Sequence, residues 1–181
     1  MTKNQETQSN TEDAEVQTFT NLPALYQAYA RKVFHYHYSR VQNLHEAEDL
    51  TSLTFMSAWE KWHTLRDPSK ATAWLFTIAR NKAFDHFRNP RTIQHEELND
   101  EMTPSLSPED SHFTPDTQER LLDLRGLLDQ LSEAEQELIH LRLVSELPFK
   151  QIALVLREPE TRIKKRYYRL LERLQAQMEQ E

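Results

Sequence analysis

The stretch LPFKQIALVLREPETRIKKRYYRLLERL, Leu147–Leu174, decides the fold of the C-terminal half of this chain. Pro148 can begin a short helix that ends near Leu156, and Pro159 can begin a longer helix that ends near Met178, because proline is tolerated in the first helical turn. A short helix, a tight break and a longer helix form the layout of a helix-turn-helix. The sequence therefore predicts that motif here.

The longer predicted helix has two chemically different faces. Apolar residues recur on one face with the spacing of three to four residues that is typical of a core stripe. Cations take the same spacing on the opposite side, a pattern shared by surfaces that read duplex DNA and by solvated surfaces. The apolar face consists of Ile163, Tyr167, Leu170 and Leu174, and the cationic face, called the basic stripe below, consists of Arg162, Lys165, Arg166, Arg169 and Arg173.

A second helix with two faces is predicted from about Ala71 to Arg88. It combines basic residues with tryptophan and phenylalanine in a chain whose formal net charge is −7. Cations bind phosphate, asparagine can bond a base edge and an aromatic ring can stack on an unpaired base. This mixture favours single-stranded nucleic acid over a merely solvated face. The residues that share one sector of the helix, called the strand face below, are Thr77, Arg80, Asn81, Phe84 and Arg88.

The remaining periodic segments also predict helices. Leu22, Leu25 and Val33 recur at helical spacing, and Ser132 with Glu135 three residues later forms a capping box before an apolar run. The three tryptophans lie in apolar stripes and are predicted to belong to the core. Because no alternating strand pattern competes, we predict an all-α fold.

The charge is distributed unevenly and divides the chain into four parts. Residues 1–20 are polar and predicted to be disordered, and residues 21–92 carry ten bases and six acids. Residues 93–118 carry seven acids and no base, and they read as a flexible linker. Residues 119–181 form a second small domain. We expect the acidic linker to keep the two domains apart, because its charges repel one another.

The composition argues against several classes of protein. The chain of 181 residues has no cysteine, which excludes disulfides and thiolate metal sites, and its single glycine, Gly126, argues against a phosphate-binding loop. No nucleophile with its base is recognisable, and His35 and His37 do not share a helix face, so no enzyme, cofactor or metal site is predicted. With no apolar span or signal core, we expect a cytoplasmic protein without membrane insertion.

Two sets of motifs carry a family resemblance. AEDL at Ala47–Leu50 and AWLFTIARN at Ala73–Asn81 look like the second conserved region of bacterial sigma factors of the extracytoplasmic-function group. Phe149, Ile152 and Arg166 are similar to residues of the fourth region of that group. The resemblance implies the promoter-recognition subunit of bacterial RNA polymerase, with core RNA polymerase and promoter DNA as partners. It also allows an anti-sigma factor as a further partner.

The resemblance assigns a role to each surface. The strand face would meet the melted minus-ten strand, and the basic stripe would read the minus-thirty-five duplex. The helix from about Ala47 to Trp62, with the acidic cluster Glu46, Glu48 and Asp49 at its start, would dock on core polymerase. At the turns around the first helix of the helix-turn-helix, Glu146 and Arg157 stand where the family usually has glycine. This departure predicts a turn of another shape, because a left-handed conformation is costly without glycine.

Two functions of other classes also fit parts of the sequence. A stand-alone helix-turn-helix transcriptional regulator would use the N-terminal helices for dimerisation. A helical protein-binding adaptor would carry both cationic surfaces only as solvated faces. A dimerisation module has no need of Arg80, Asn81 and Arg88 on one exposed sector, and this feature favours the sigma factor hypothesis.

Overall fold

The helices follow the order and approximate bounds that the sequence predicts. The computed structural model describes Phe19, residues 21–88 and residues 130–178; the predicted linker and nearly all of the predicted tail lie outside these residues. The described residues contain no strand, which confirms the all-α fold. None of their helices is both long and apolar enough to span a bilayer. The α-helices of the described residues are α1 (Leu22–Val41), α2 (Leu44–Lys61), α3 (Ala71–Phe87), α4 (Glu133–Ile139), α5 (Phe149–Leu156) and α6 (Glu160–Met178).

The first three helices form the N-terminal domain, and side-chain caps fix where two of them begin. The Asn21 side chain accepts a hydrogen bond from the Ala24 backbone N–H at 2.9 Å, and Asn43 does the same for Glu46 at 3.2 Å. Such caps satisfy backbone donors that have no partner within the helix. Two short 3₁₀ turns connect α2 to α3. The largest fully buried residues of this domain include Leu25, Val33, Tyr36, Leu75 and Phe76.

The three tryptophans do not share one environment. Trp62 and Trp74 pack edge to face with ring centroids 5.9 Å apart and are half-buried. Trp59 is 71% exposed, so the prediction that it belongs to the core is wrong. The reason is geometric: the apolar residues of α2 cover a wider sector than the part of that helix that α1 and α3 bury, and Trp59 lies outside the buried part.

The C-terminal domain contains the predicted helix-turn-helix. The Ser132 and Glu135 capping box opens α4, which continues into a π-helical turn at His140–Val144. The α5 and α6 helices then pack together, with the rings of Phe149 and Tyr167 5.2 Å apart. The predicted apolar face of α6, Ile163, Tyr167, Leu170 and Leu174, is buried throughout.

The turns that flank α5 are left-handed although they lack glycine. Glu146 and Arg157 both have φ of 55°, so the prediction of another turn shape is wrong. The backbone N–H groups of Arg157 and Glu158 both bond the carbonyl of Ala153, the latter at 3.1 Å, which is how a helix commonly closes at its C-terminus. The turn keeps its geometry because these bonds and the packing of α6 on α5 outweigh the local backbone strain.

The strain at Arg157 leads to a stability prediction. We expect Arg157→Gly to raise the free energy of unfolding by about 1 kcal/mol relative to Arg157→Ala, because only glycine relieves the steric cost of the left-handed conformation. Urea denaturation followed by circular dichroism measures the difference. Arg157→Ala is the matched control, since it removes the same side chain and keeps the strain. Equal unfolding free energies for the two variants would contradict the prediction.

The two domains contact each other, contrary to the expectation that the linker keeps them apart. Helix α3 packs against α5, and α1 packs against the π-helical turn. Buried apolar side chains of both domains belong to one continuous cluster. The repulsion within an acidic linker acts only on the linker, whereas the domains bury complementary surfaces. This contact brings the C-terminal domain next to the strand face.

Candidate nucleic-acid interfaces

The residues of the strand face lie along α3 and, for Arg88, at its C-cap, and they differ in accessibility. Asn81 and Arg88 are exposed, and Thr77, Arg80 and Phe84 are half-buried. The Arg80 guanidinium lies over the Phe84 ring, 4.6 Å from its centroid. The Thr77 hydroxyl donates a hydrogen bond to the Ala73 carbonyl at 2.8 Å. Two cations, one amide and one aromatic ring therefore lie on one side of α3 and its C-terminal end.

A further arginine, which sequence reasoning missed, packs beneath this face from α1, and its side chain is only 8% exposed. The Arg40 guanidinium carbon is 5.4 Å from the centroid of the Phe84 ring and 5.8 Å from that of Tyr36. Arg40 and Arg80 thus both contact Phe84. The contact joins residues that are 40 positions or more apart in the chain, and no local pattern could have indicated it.

The two arginines converge on an acid of the C-terminal domain. Glu137 of α4 is 2% exposed and forms an ion pair with Arg40. Its Oε1 atom lies 3.5 Å from Nε of Arg80 and accepts a hydrogen bond of 2.9 Å from the Tyr36 hydroxyl. Glu137 therefore reaches into the first domain. The sequence offers one indication of this contact: Glu137 is an acid that directly precedes the buried apolar pair Leu138 and Ile139.

One tyrosine and two histidines around this contact are held in their neutral forms. Burial, and then the charge of Glu137, raises the pKa of the Tyr36 hydroxyl well above its usual value. Burial, and then the Arg40 charge, lowers the pKa of His140 to about 4 and that of His37 to about 3. The positive charge that faces Glu137 is thus supplied by Arg40 and Arg80. Within the described residues no cluster of three metal-binding side chains occurs.

The basic stripe lies along one shallow groove of about 390 Å³ on α6. Arg166 is paired with Glu158, and Arg173 bonds Glu135 at 2.8 Å. Arg162, Lys165 and Arg169 are exposed, and no acid of residues 21–88 or 130–178 forms an ion pair with them. Glu158 and Glu135 therefore each hold one guanidinium, and the three remaining cations of the stripe have no acidic partner among these residues.

Only two of the three acids in the predicted cluster on α2 are exposed to a partner. The Glu46 carboxylate lies 3.1 Å from Nε2 of His86 and is half-buried, while Glu48 and Asp49 are exposed. Glu46 thus connects α2 to α3. The two remaining acids follow one another on the surface of the first domain.

An apolar groove, which sequence reasoning also missed, lies between α1 and α2. It encloses about 580 Å³. Met56 is 60% exposed and Trp59 is 71% exposed, which is unusual for such large apolar side chains. The sequence carries a signal for this groove in the apolar residues of α2, but the stripe pattern predicts that Trp59 belongs to the core. The groove is lined mainly by Leu22, Pro23, Tyr26, Phe55, Met56 and Trp59.

Comparison with known proteins gives two family matches. The models "Sigma-70 region 2" and "Sigma-70, region 4" match residues 25–92 and 127–176. The chain is 35% identical over 154 residues to the ECF RNA polymerase sigma factor BldN of Streptomyces coelicolor, covering 83% of this chain and 57% of that relative. It is 30% identical over 156 residues to the ECF RNA polymerase sigma factor RpoE of Cereibacter sphaeroides, covering 85% and 84%.

A solved structure supports the same relationship. The sigma factor RpoE of Bartonella quintana, determined in complex with the anti-sigma factor NepR, superposes with a TM-score of 0.65 at 25% identity. The match covers 89% of this chain and 98% of the solved one. Both domains and their order in the chain therefore have counterparts among known proteins.

Proposed function

The chain belongs to the extracytoplasmic-function sigma factors, and from this membership we propose that it directs core RNA polymerase to specific promoters in the cytoplasm and promotes DNA melting there. One observation carries the proposal. Two surfaces of different composition lie on separate domains, an aromatic and basic face on α3 and a purely basic stripe on α6. Residues 21–92 would bind polymerase and the minus-ten element, and residues 119–181 the minus-thirty-five element. We propose no catalytic role.

The design of each surface fits its proposed ligand. A base that has left the duplex can stack on Phe84 and bond Asn81, whereas a paired base is inaccessible to both. The exposed cations of α6 suit the phosphates beside a major groove, where a recognition helix normally lies. A regulator that binds only duplex DNA needs the second surface but not the first.

The basic stripe leads to a prediction about duplex binding. We expect Arg169→Ala to reduce the dependence of duplex affinity on salt by about one unit in the slope of log affinity against log salt, because one phosphate contact releases about one counterion. Arg162 or Lys165 should behave alike if each contacts phosphate. Fluorescence anisotropy of a labelled promoter duplex, with the full chain at several salt concentrations, measures the slope.

The exposed Lys61 provides the control for this prediction. It carries the same charge but lies at the end of α2, in the other domain. Lys61→Ala should leave the slope unchanged. If Arg169→Ala shows the same salt dependence of duplex affinity as the parent, Arg169 does not contact a phosphate. A loss confined to one promoter position would instead identify a base contact, with a cost of about 1–3 kcal/mol there.

Two proteins are proposed as partners. Core RNA polymerase would dock on α2, through Glu48, Asp49 and the apolar groove beside them. An anti-sigma factor is the second, since the Bartonella quintana relative was solved with one. Charge on α2 would speed association with a basic partner, and the apolar groove would supply most of the binding energy.

A run-off transcription assay tests the proposed function. Core RNA polymerase is incubated with the full chain and a pool of duplexes that carry randomised upstream sequence, and the transcripts are sequenced. We expect initiation to require the chain and to select two short elements upstream of the start. A stand-alone regulator would bind duplexes without supporting initiation by core polymerase. An adaptor would select no sequence at all, and either result would overturn the proposal.

A further inference from the structure

Arg166 differs from the other cations of the basic stripe in how firmly it is held. Its Nη2 atom donates a hydrogen bond to the Glu158 carboxylate, and the two side chains are only 27% and 26% exposed. Arg173 is also paired, with Glu135, but its side chain is 50% exposed and lies about two turns further along α6. The stripe thus contains one oriented guanidinium in the first two turns of α6.

The turn between α5 and α6 fixes the position of Glu158. Its backbone N–H bonds the Ala153 carbonyl at 3.1 Å, and the Arg162 N–H bonds the Pro159 carbonyl at 3.0 Å as α6 begins. Leu170, one turn beyond Arg166 on the same side of α6, is 2% exposed and anchors the helix in the core. The acid and the arginine therefore meet across a short and well-packed piece of backbone.

The place of Arg166 suits a contact with a base edge. In a helix-turn-helix the first residues of the second helix are the ones that reach the bases in the major groove. The bond to Glu158 uses Nη2, and a guanidinium carries further N–H donors that the O6 and N7 atoms of guanine can accept. A bidentate contact of this kind requires the planar fork to lie in one orientation.

An acid at this place weakens general attraction to DNA. A carboxylate next to α6 repels phosphates and offsets the charge of one cation, so a surface that only attracted phosphates would gain nothing from it. Its benefit is orientation, because an arginine that is already held loses less side-chain freedom when it meets a base. Glu158 therefore lowers affinity for any duplex and improves discrimination between duplexes.

We propose that Glu158 is a positioning residue for promoter recognition, which holds Arg166 in the orientation that reads a guanine edge, while Arg162, Lys165 and Arg169 contact phosphates. The inference rests on the proposed function of the basic stripe as the surface that binds duplex DNA. It divides that surface into one residue that selects sequence and three that supply affinity.

The first test removes the charge of Glu158 and keeps its shape. The full chain is incubated with duplexes that carry a randomised stretch, and the bound duplexes are sequenced. We expect Glu158→Gln to lower the preference for guanine at one position at least fivefold, and to leave the other positions within twofold of the parent. Its affinity for a labelled duplex of scrambled sequence, measured by anisotropy, should rise about twofold, because an acid beside the phosphates is lost.

Glu160→Gln is the matched control. Glu160 is an acid of the same helix end, but it pairs with Lys164 at 3.1 Å and not with Arg166. This variant should bind the scrambled duplex about as tightly as Glu158→Gln and keep the guanine preference within twofold of the parent. A structural defect would lower both affinity and preference at every position. An unchanged guanine preference in Glu158→Gln, or an equal loss of it in Glu160→Gln, would overturn the inference.

The second test asks whether Glu158 acts through Arg166. We expect Arg166→Lys to keep affinity for the scrambled duplex within about twofold of the parent, because the charge remains, and to lose the guanine preference, because lysine lacks the planar fork. Glu158→Gln should change no preference further when added to Arg166→Lys. A preference that survives Arg166→Lys and disappears with Glu158→Gln would mean that Glu158 itself accepts a bond from a cytosine, and the inference would be wrong.

These measurements use no polymerase, so they are separable from the run-off assay. If the parent selects a sequence and Glu158→Gln selects it equally well, the basic stripe reads DNA without this positioning residue. If the parent selects no sequence, the inference and the duplex-reading part of the proposed function are both wrong. If the variants behave as expected while core polymerase does not initiate, Glu158 keeps its role and the sigma factor proposal is wrong.

Discussion

A chain with Met56→Glu and Trp59→Ala is expected to bind core RNA polymerase about a hundredfold more weakly than the parent. The two side chains are the most exposed large apolar residues of the first domain, and both line the groove between α1 and α2. Tryptophan is enriched among residues that dominate interface energetics, and removing one such residue commonly costs about 2 kcal/mol or more. A glutamate at the neighbouring position adds a charge that would be dehydrated on binding. Competition binding with labelled parent measures the loss.

Two further variants sharpen this prediction. Leu143→Ala removes another exposed apolar side chain, in the C-terminal domain, and should leave polymerase affinity within about twofold of the parent. Glu48→Lys with Asp49→Lys should mainly slow association and change its salt dependence, because exposed charges steer encounter more than they hold a complex. Parental affinity for the Met56 and Trp59 variant would exclude the groove as the docking surface. Unchanged association after the charge reversal would exclude the acids.

The features that the sequence predicted correctly are set by neighbouring residues. Helix periodicity, the Ser132 capping box and the prolines before α5 and α6 act within one or two helical turns, and the structure has each of them. The strand face follows from the same arithmetic, since residues three and four positions apart share a side of a helix. The positions of the elements along the chain could therefore be obtained without any knowledge of tertiary packing.

The features that the sequence did not predict depend on residues far apart in the chain. Arg40 and Glu137 are separated by 97 positions, and nothing near either residue indicates the other. Trp59 shows the same limit: its helix has apolar residues on more than one side, and the placement of α1 and α3 decides which of them are buried. At Glu146 and Arg157, local propensity was a poor guide because packing on both sides of α5 imposes the left-handed turn.

A change at the Asn81 amide tests most directly whether the strand face binds the melted promoter strand. This amide is exposed and takes no part in the contact with Glu137. Opening duplex DNA costs stacking and pairing energy, and a protein without a source of chemical energy can drive it only by binding the opened strand better than the closed duplex. Phosphates are present in both forms, so cations alone discriminate poorly. A stacked and hydrogen-bonded base is available only in the open form, where each such contact contributes on the order of 1–3 kcal/mol.

We therefore expect Asn81→Ala to reduce initiation on a fully paired promoter about tenfold or more, and a pre-melted bubble at the minus-ten element to restore most of the loss. Gln177→Ala removes an exposed amide at the end of α6 and should match the parent on both templates. We expect Arg80→Ala to reduce initiation by less than the loss of a phosphate contact alone would, because the same change also removes the contact of Arg80 with Glu137. Run-off transcription on the two templates measures all three variants. Parental activity of Asn81→Ala on the paired promoter would remove this residue from the melting step, whereas an equal loss on both templates would place it in a step that follows opening.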